Sequence, residues 1–182
     1  PVYYRTINKL REKLLLIPFD RDIRYANMNP FKITNINDGE TQYFKGSFNL
    51  KGECSGEGVW LNDYNIYYGN FRNDLFNGKG VFMNPKGDFY FGEWINGLPN
   101  GRGMVAYNGM IAYDGGFVNG QKSGKAVEKF PNGDSYVGEF ANGQKNGIGK
   151  YNFSGGSVYV GNMRNSKFDG MGSICWKNGD KY

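Results

Sequence analysis

Acid–base chemistry in this chain would rest on its carboxylates, because it contains no histidine. That absence removes the commonest general base near neutral pH and the commonest metal ligand. Glu93, Glu139 and Asp114 stand once each in separate stretches of sequence, at positions that face outward in an alternating strand pattern. A catalytic carboxylate pair needs a shared apolar pocket that drives the two pKa values apart, and nothing in their spacing supplies one. Cys54 and Cys175 are the only thiols. They form no Cys-x-x-Cys pair and no zinc set, and they read as structural thiols in a reducing, cytoplasmic compartment. The expectation is a protein without catalytic activity, metal or cofactor.

What remains is the chemistry of rings. Phe44, Tyr67, Tyr90, Tyr113, Tyr136 and Tyr159 recur at a fixed step of 23 residues, and Tyr182 falls at the same step. A glycine follows two residues after each of the first six, from Gly46 to Gly161. Two residues further come Phe48, Phe71, Trp94, Phe117, Phe140 and Met163. A fixed period of this size marks a repeat array, in which each unit packs on its neighbours and long surfaces serve binding.

Composition agrees. Glycine supplies 29 of 182 residues and aromatics 17%, where average glycine usage is about 7%. Rings and glycines at regular offsets read as short strands and tight turns. The net charge is +5, with seven Lys/Arg against five Asp/Glu before residue 44 and fifteen against twelve after it. A nucleic-acid binder would show a basic stripe; here the two signs are interleaved, so no nucleic acid is expected. No apolar run reaches the 18 residues that a membrane span needs.

Three segments position these residues. Over 3–17, Tyr3, Ile7, Leu10 and Leu14 recur at helical spacing, so a short N-terminal amphipathic helix is predicted, ended by Pro18. Residues 18–43 read as a connector with a half-hairpin cap, in which Phe31, Ile33 and Asn35 alternate before Asp38-Gly39 turns the chain. From Phe44 to Tyr182 the repeat takes over as six β-hairpins. In the clearest unit, Tyr136–Phe140 and Gly147–Phe153 alternate as strands around Asn142-Gly143. The fold class is therefore all-β, an elongated single-layer antiparallel meander. With the first ring as position 1, position 1 is expected to face 16, 3 to face 14 and 5 to face 12. That register puts Trp94 over Gly101, Phe140 over Gly147 and Glu93 beside Arg102. Glu128, at an apolar position of its unit, reads as either a contact residue or a tolerated edge residue. Two strands per unit at about 4.8 Å make six units roughly 60 Å long.

The run Tyr90-Phe-Gly92-Glu-Trp94-Ile-Asn96-Gly97-Leu-Pro-Asn100-Gly101-Arg-Gly103 resembles the MORN repeat (membrane occupation and recognition nexus), as does Tyr136 to Gly149. The resemblance covers 44–182. It implies stacked hairpins and a non-catalytic role. Such arrays occur in axonemal proteins, in protist basal-complex scaffolds and beside the catalytic domains of some lipid kinases. It implies a scaffold for protein–protein interaction in a large cytoskeletal, ciliary or axonemal assembly, homodimerising through open array ends where those pair. The expected contact rings are Tyr90, Trp94, Tyr113, Phe117, Tyr136 and Phe140. The alternative is a peripheral module on acidic phospholipid. There Arg5, Lys9, Arg11 and Lys13, beside Ile7, Leu10 and Leu14, would lie in the bilayer interface. The same helix could instead cap the array or pack on a partner.

Overall fold

The structure is a computed structural model that describes residues 32–35, 41–62 and 65–182. The helix expected over 3–17 and most of the connector lie outside the described residues. Among the described residues, thirteen strands form one sheet in strict chain order. They are β1 (Lys32–Asn35), β2 (Thr41–Phe48), β3 (Cys54–Leu61), β4 (Ile66–Arg72), β5 (Leu75–Met83), β6 (Phe89–Ile95) and β7 (Leu98–Tyr107). The series continues with β8 (Met110–Val118), β9 (Gln121–Lys129), β10 (Ser135–Ala141), β11 (Gln144–Asn152), β12 (Val158–Arg164) and β13 (Lys167–Cys175). Every pairing is between consecutive strands and antiparallel, so packing runs along one dimension. The first unit, from Phe44, also forms a hairpin, but its strands are joined by the five residues 49–53 and Phe48 pairs with Cys54.

The expected register holds at two of its three points. Tyr136 faces Tyr151 and Gly138 faces Gly149; Tyr67 faces Phe82 and Phe44 faces Trp60. The third point is corrected: position 5 faces 10, not 12. Phe140 pairs with Lys145 and Trp94 with Pro99, after a β-bulge that follows the glycine at position 3. The cause is the turn. Asn142-Gly143 alone connects the strands, and both residues have positive φ, 51° and 79°. This is the two-residue turn whose twist matches that of a hairpin. For position 5 to face 12 the turn would need six residues, four more than it has. Glu93 accordingly lies opposite Lys79 in the register, and Arg102 pairs with Asp114 at 3.3 Å instead.

The glycine at position 12 faces the following unit. Gly78 lies opposite Trp94, Gly101 opposite Phe117 and Gly124 opposite Phe140. Its requirement is conformational: Gly101 and Gly147 both have φ of 96°, a left-handed value that side chains with a Cβ resist. The turns also staple unit to unit. The amide of Gly97 donates to Phe76 O at 2.9 Å, that of Gly120 to Pro99 O at 2.8 Å and that of Gly143 to Lys122 O at 3.0 Å. At the other end of the strands, Asp134 accepts from the Ser154 amide at 2.8 Å and Asp88 from the Asn108 amide at 3.0 Å. The units are thereby tied at the turns, and at Asp88 and Asp134 also at the other end of the strands.

Candidate functional site

One face of the sheet carries a continuous file of rings. Strand alternation sends positions 1, 3, 5, 14 and 16 to the same side. With glycine at 3 and 14, the tyrosine at position 1 folds flat over bare backbone. At Gly138 a β-carbon would stand 2.6 Å from Gly149 Cα and within overlap of the Tyr136 hydroxyl. The bulge leaves the carbonyl of position 4 outside the ladder, and the tyrosine supplies its partner. Tyr67 OH donates to Asn70 O at 3.0 Å, Tyr90 to Glu93 O at 2.9 Å and Tyr113 to Gly116 O at 2.8 Å. Tyr136 and Tyr159 repeat the bond to Glu139 O at 3.1 Å and Asn162 O at 2.8 Å. Burial raises the pKa of Tyr67, Tyr90, Tyr113 and Tyr136 above the ordinary phenol value.

Position 5 wedges between the tyrosines of adjacent units. Trp94 meets Tyr90 edge-on at 4.9 Å and Tyr67 at 5.5 Å. Phe117 stands likewise between Tyr113 and Tyr90 at 5.0 and 5.2 Å, and Phe140 between Tyr136 and Tyr113 at 5.4 Å from each. Edge-to-face geometry at these separations is favourable for ring quadrupoles. All six rings expected to contact a partner, Tyr90, Trp94, Tyr113, Phe117, Tyr136 and Phe140, are thus brought together, and all six are buried. They form the floor of the face. Trp94 also donates its indole N–H to Gly80 O at 3.3 Å.

The accessible walls come from the expected cross-strand partners of the first rings, Trp60, Phe82 and Tyr151, and from rings that the register did not place on this face. Trp60, Phe76, Phe82, Phe130, Tyr151 and Phe153 pack on the floor while staying partly exposed. Phe76, at position 10, stacks on Tyr67 at 3.7 Å with the planes 7° apart, and Phe168 lies over Tyr159 at 4.0 Å with the planes tilted by 31°. The signal that identifies position 10 is the two-residue turn led by Asn, Asn73-Asp74 and Asn165-Ser166 here and Asn-Gly in the units between, which brings position 10 back over position 1.

In the fourth and fifth units, from Tyr113 and Tyr136, lysine takes that place. Lys122 Nζ lies 4.8 Å from the Tyr113 ring centre, and Lys145 Nζ lies 5.5 Å from Tyr136 and 4.6 Å from Phe130. Between them is Glu128, bonded through Oε1 to Lys122 and paired through Oε2 with Lys145 Nζ at 2.7 Å. The Oε2 contact is an ion pair whose angle falls outside hydrogen-bond geometry. Glu128 is therefore no edge residue; it is a buried carboxylate clamped by two cations on aromatic faces. Burial alone would raise its pKa, but the bonds and charges of Lys122 and Lys145 outweigh that and lower it. The triad gives the middle of the ring face a net positive charge, and Lys122 remains about a third exposed.

The rest of the site is chemically quiet. Glu139 and Asp114 lie on strands without a facing carboxylate at their register partners, Lys125 and Met104 or Val127. Cys54 is buried and Cys175 partly buried. No group of three or more metal-ligating side chains occurs among the described residues. No helix among them is long and apolar enough to cross a membrane.

The MORN repeat family model matches five times, at residues 67–89, 90–108, 113–135, 136–158 and 159–181. These matches cover more than half of the chain, which therefore belongs to the MORN repeat family. No curated protein sequence matches it. Among solved structures, it is similar to the SAS-4 (dCPAP) TCP domain of Drosophila melanogaster in complex with a proline-rich motif of Ana2 (dSTIL). That likeness has 15% sequence identity and a TM-score of 0.43, over 84% of this chain and 87% of that one.

Proposed function

We propose that this chain is a non-catalytic scaffold that binds other proteins along its ring face, within a large cytoskeletal assembly of the ciliary or axonemal kind. The observation that carries the reading is the two-tier construction of that face. The floor rings are locked into the core, while Trp60, Phe76, Phe82, Tyr151 and Phe153 stay half-open above it. Partly exposed aromatics on a rigid support are what binding hot spots use. The membership in the MORN family supports interaction with protein or membrane as the general role. The net positive triad of Lys122, Glu128 and Lys145 at mid-face suits a partner that carries an acidic residue between apolar ones.

Detergent fractionation of cells that carry the tagged chain tests the assembly. The scaffold reading expects the chain in the detergent-resistant cytoskeletal fraction, retained at moderate salt. Release by detergent, together with co-sedimentation on acidic phospholipid vesicles, would favour the membrane reading.

A further inference from the structure

The chain holds nine Asn-Gly pairs. In such a pair the glycine nitrogen can reach the side-chain carbonyl carbon of the asparagine, because glycine puts no Cβ in the way, and asparagine is thermolabile. Four of the pairs form two-residue turns of one geometry. The asparagine φ is 50° at Asn96, 50° at Asn108, 48° at Asn119 and 51° at Asn142, and the glycines that follow have φ of 81°, 78°, 80° and 79°. All four asparagines are exposed. What differs is the glycine amide. Those of Gly97, Gly120 and Gly143 donate to a carbonyl of the preceding unit, at 2.9, 2.8 and 3.0 Å. The turn of Gly109, between β7 and β8, lies at the other end of the strands, and its amide has no hydrogen-bond partner among the described residues. The remaining five pairs are held. Gly133 donates to Phe130 O at 3.0 Å and Gly179 to Trp176 O at 2.9 Å. Gly78, Gly101 and Gly147 lie inside strands and pair with Trp94, Phe117 and Met163 of the next unit.

We propose that Asn108 is the primary site of spontaneous deamidation in the folded array, converting to aspartate and isoaspartate with water as the only co-reactant. The Gly109 nitrogen loses its proton to water and attacks Cγ of Asn108. A bond forms between that nitrogen and Cγ, and the Cγ–Nδ2 bond breaks. Nδ2 leaves as ammonia, taking up a proton in place of the one that Gly109 lost. The product is a succinimide. Water then adds to either of its carbonyl carbons and reopens the ring. One opening gives aspartate. The other gives isoaspartate, whose backbone runs through the side-chain carboxyl and is longer by a methylene. At Gly97, Gly120 and Gly143 the same attack must first break a bond that holds the amide proton and fixes the peptide plane, so those pairs react only on local opening. The bonds that tie unit to unit therefore also protect the turns, and Asn108-Gly109 lies outside that protection. The product bears on one contact of the fold. The Asn108 amide donates to Asp88 Oδ1 at 3.0 Å and ties two units. A carboxylate at 108 brings a second negative charge towards Asp88, and the longer backbone shifts the amide that Asp88 accepts.

Incubation of the purified full chain in mildly alkaline buffer, followed by peptide mapping with mass spectrometry, gives the deamidated and isoaspartyl fraction at each pair. Asn108 should react at least about tenfold faster than Asn96, Asn119 and Asn142, whose amides are released only by local opening. The same mapping on the chain unfolded in urea separates fold from sequence. There the four rates should converge to within about threefold, because no opening is needed. Equal rates in the folded chain, or another pair reacting first, would overturn the proposal. So would an advantage of Asn108 that persists undiminished in urea, which would assign it to the neighbouring side chains. Asn108→Gly retains a turn suited to positive φ. It should remove most of the isoaspartate that the folded chain accumulates, read by enzymatic methylation of isoaspartyl carboxylates. Retention of most of that signal in the variant would likewise contradict the assignment.

Discussion

Trp94 stands edge-on to Tyr67, the first ring of the preceding unit, at 5.5 Å and with the planes 89° apart. The pair joins two consecutive hairpins, and through Tyr90 it passes the contact on. Position 5 is therefore a coupling between units before it is anything else. Replacing Trp94 by Ala should lower stability by about 3–5 kcal/mol, as other buried aromatic truncations do. Chemical denaturation checks this. A loss below about 1 kcal/mol would show that the ring is a surface group.

The glycine pair beneath each tyrosine is a second test of packing. Gly138→Val should push Tyr136 off Gly149 and break its bond to Glu139 O. Overpacking of this kind costs about 1–3 kcal/mol or more. The melting temperature is the measurement, and the conservative Gly143→Ala at the open turn tip serves for comparison, its cost arising from φ alone.

Glu128 gives a pH dependence whose sign is determined. Its carboxyl titrates lower in the fold than its ordinary 4.5, held down by Lys122 and Lys145 against the opposing effect of burial. The unfolded state takes up its proton first as pH falls. The stabilisation is therefore full above about pH 4.5 and is lost through the acid side below it. Glu128→Gln should destabilise at pH 7, and the gap to wild type should close as pH approaches 3. A gap that stays constant would remove the triad from the account. The triple change Lys122→Phe, Glu128→Phe, Lys145→Phe copies the unit from Tyr67, which has Phe76 and Phe82 at positions 10 and 16. It should match or exceed wild-type stability, since a buried charge cluster is commonly replaced by apolar side chains without loss.

The tyrosines predict the opposite edge of the pH range. Burial raises Tyr67, Tyr90, Tyr113 and Tyr136 above the ordinary value of 10.0. Their contribution is full below pH 10 and is lost as pH rises beyond it, because the unfolded chain ionises first. Alkaline titration followed at the tyrosinate band should show the buried group appearing together with unfolding. Smooth ionisation without loss of strand signal would contradict their placement beneath the ring file.

Much of this fold can be read from residue types alone. A ring, a glycine and a second ring at alternating positions define a strand face, and a 23-residue step makes the strands a meander. The pairs Tyr136–Tyr151 and Gly138–Gly149 follow from that alternation. The facing of position 5 does not. Gly147 looks like a bare site for a ring to cover, yet its role is a positive φ at a bulge, and a letter in a sequence does not carry the sign of a dihedral. The site divides in the same way. The floor rings and their facing partners Trp60, Phe82 and Tyr151 were legible by period, but the wall at Phe76 depended on the turn length. Glu128 stood out as a charge in an apolar slot. Its partners Lys122 and Lys145 lie 6 and 17 residues away and meet it only once the register is known.

The central claim is that binding runs along the ring face above a buried floor. The direct measurement selects peptides on the immobilised chain from a random display library and determines their dissociation constants on face-specific variants. Phe82→Ser and Phe153→Ser alter the walls, and Val137→Ser and Val160→Ser alter the opposite, second face of the sheet, where both valines are exposed; circular dichroism confirms that each variant folds. The wall changes should weaken binding at least about tenfold, or about 1.4 kcal/mol, and the second-face changes should leave it unaltered. Equal effects from both sets, or loss only from the second face, would contradict the account.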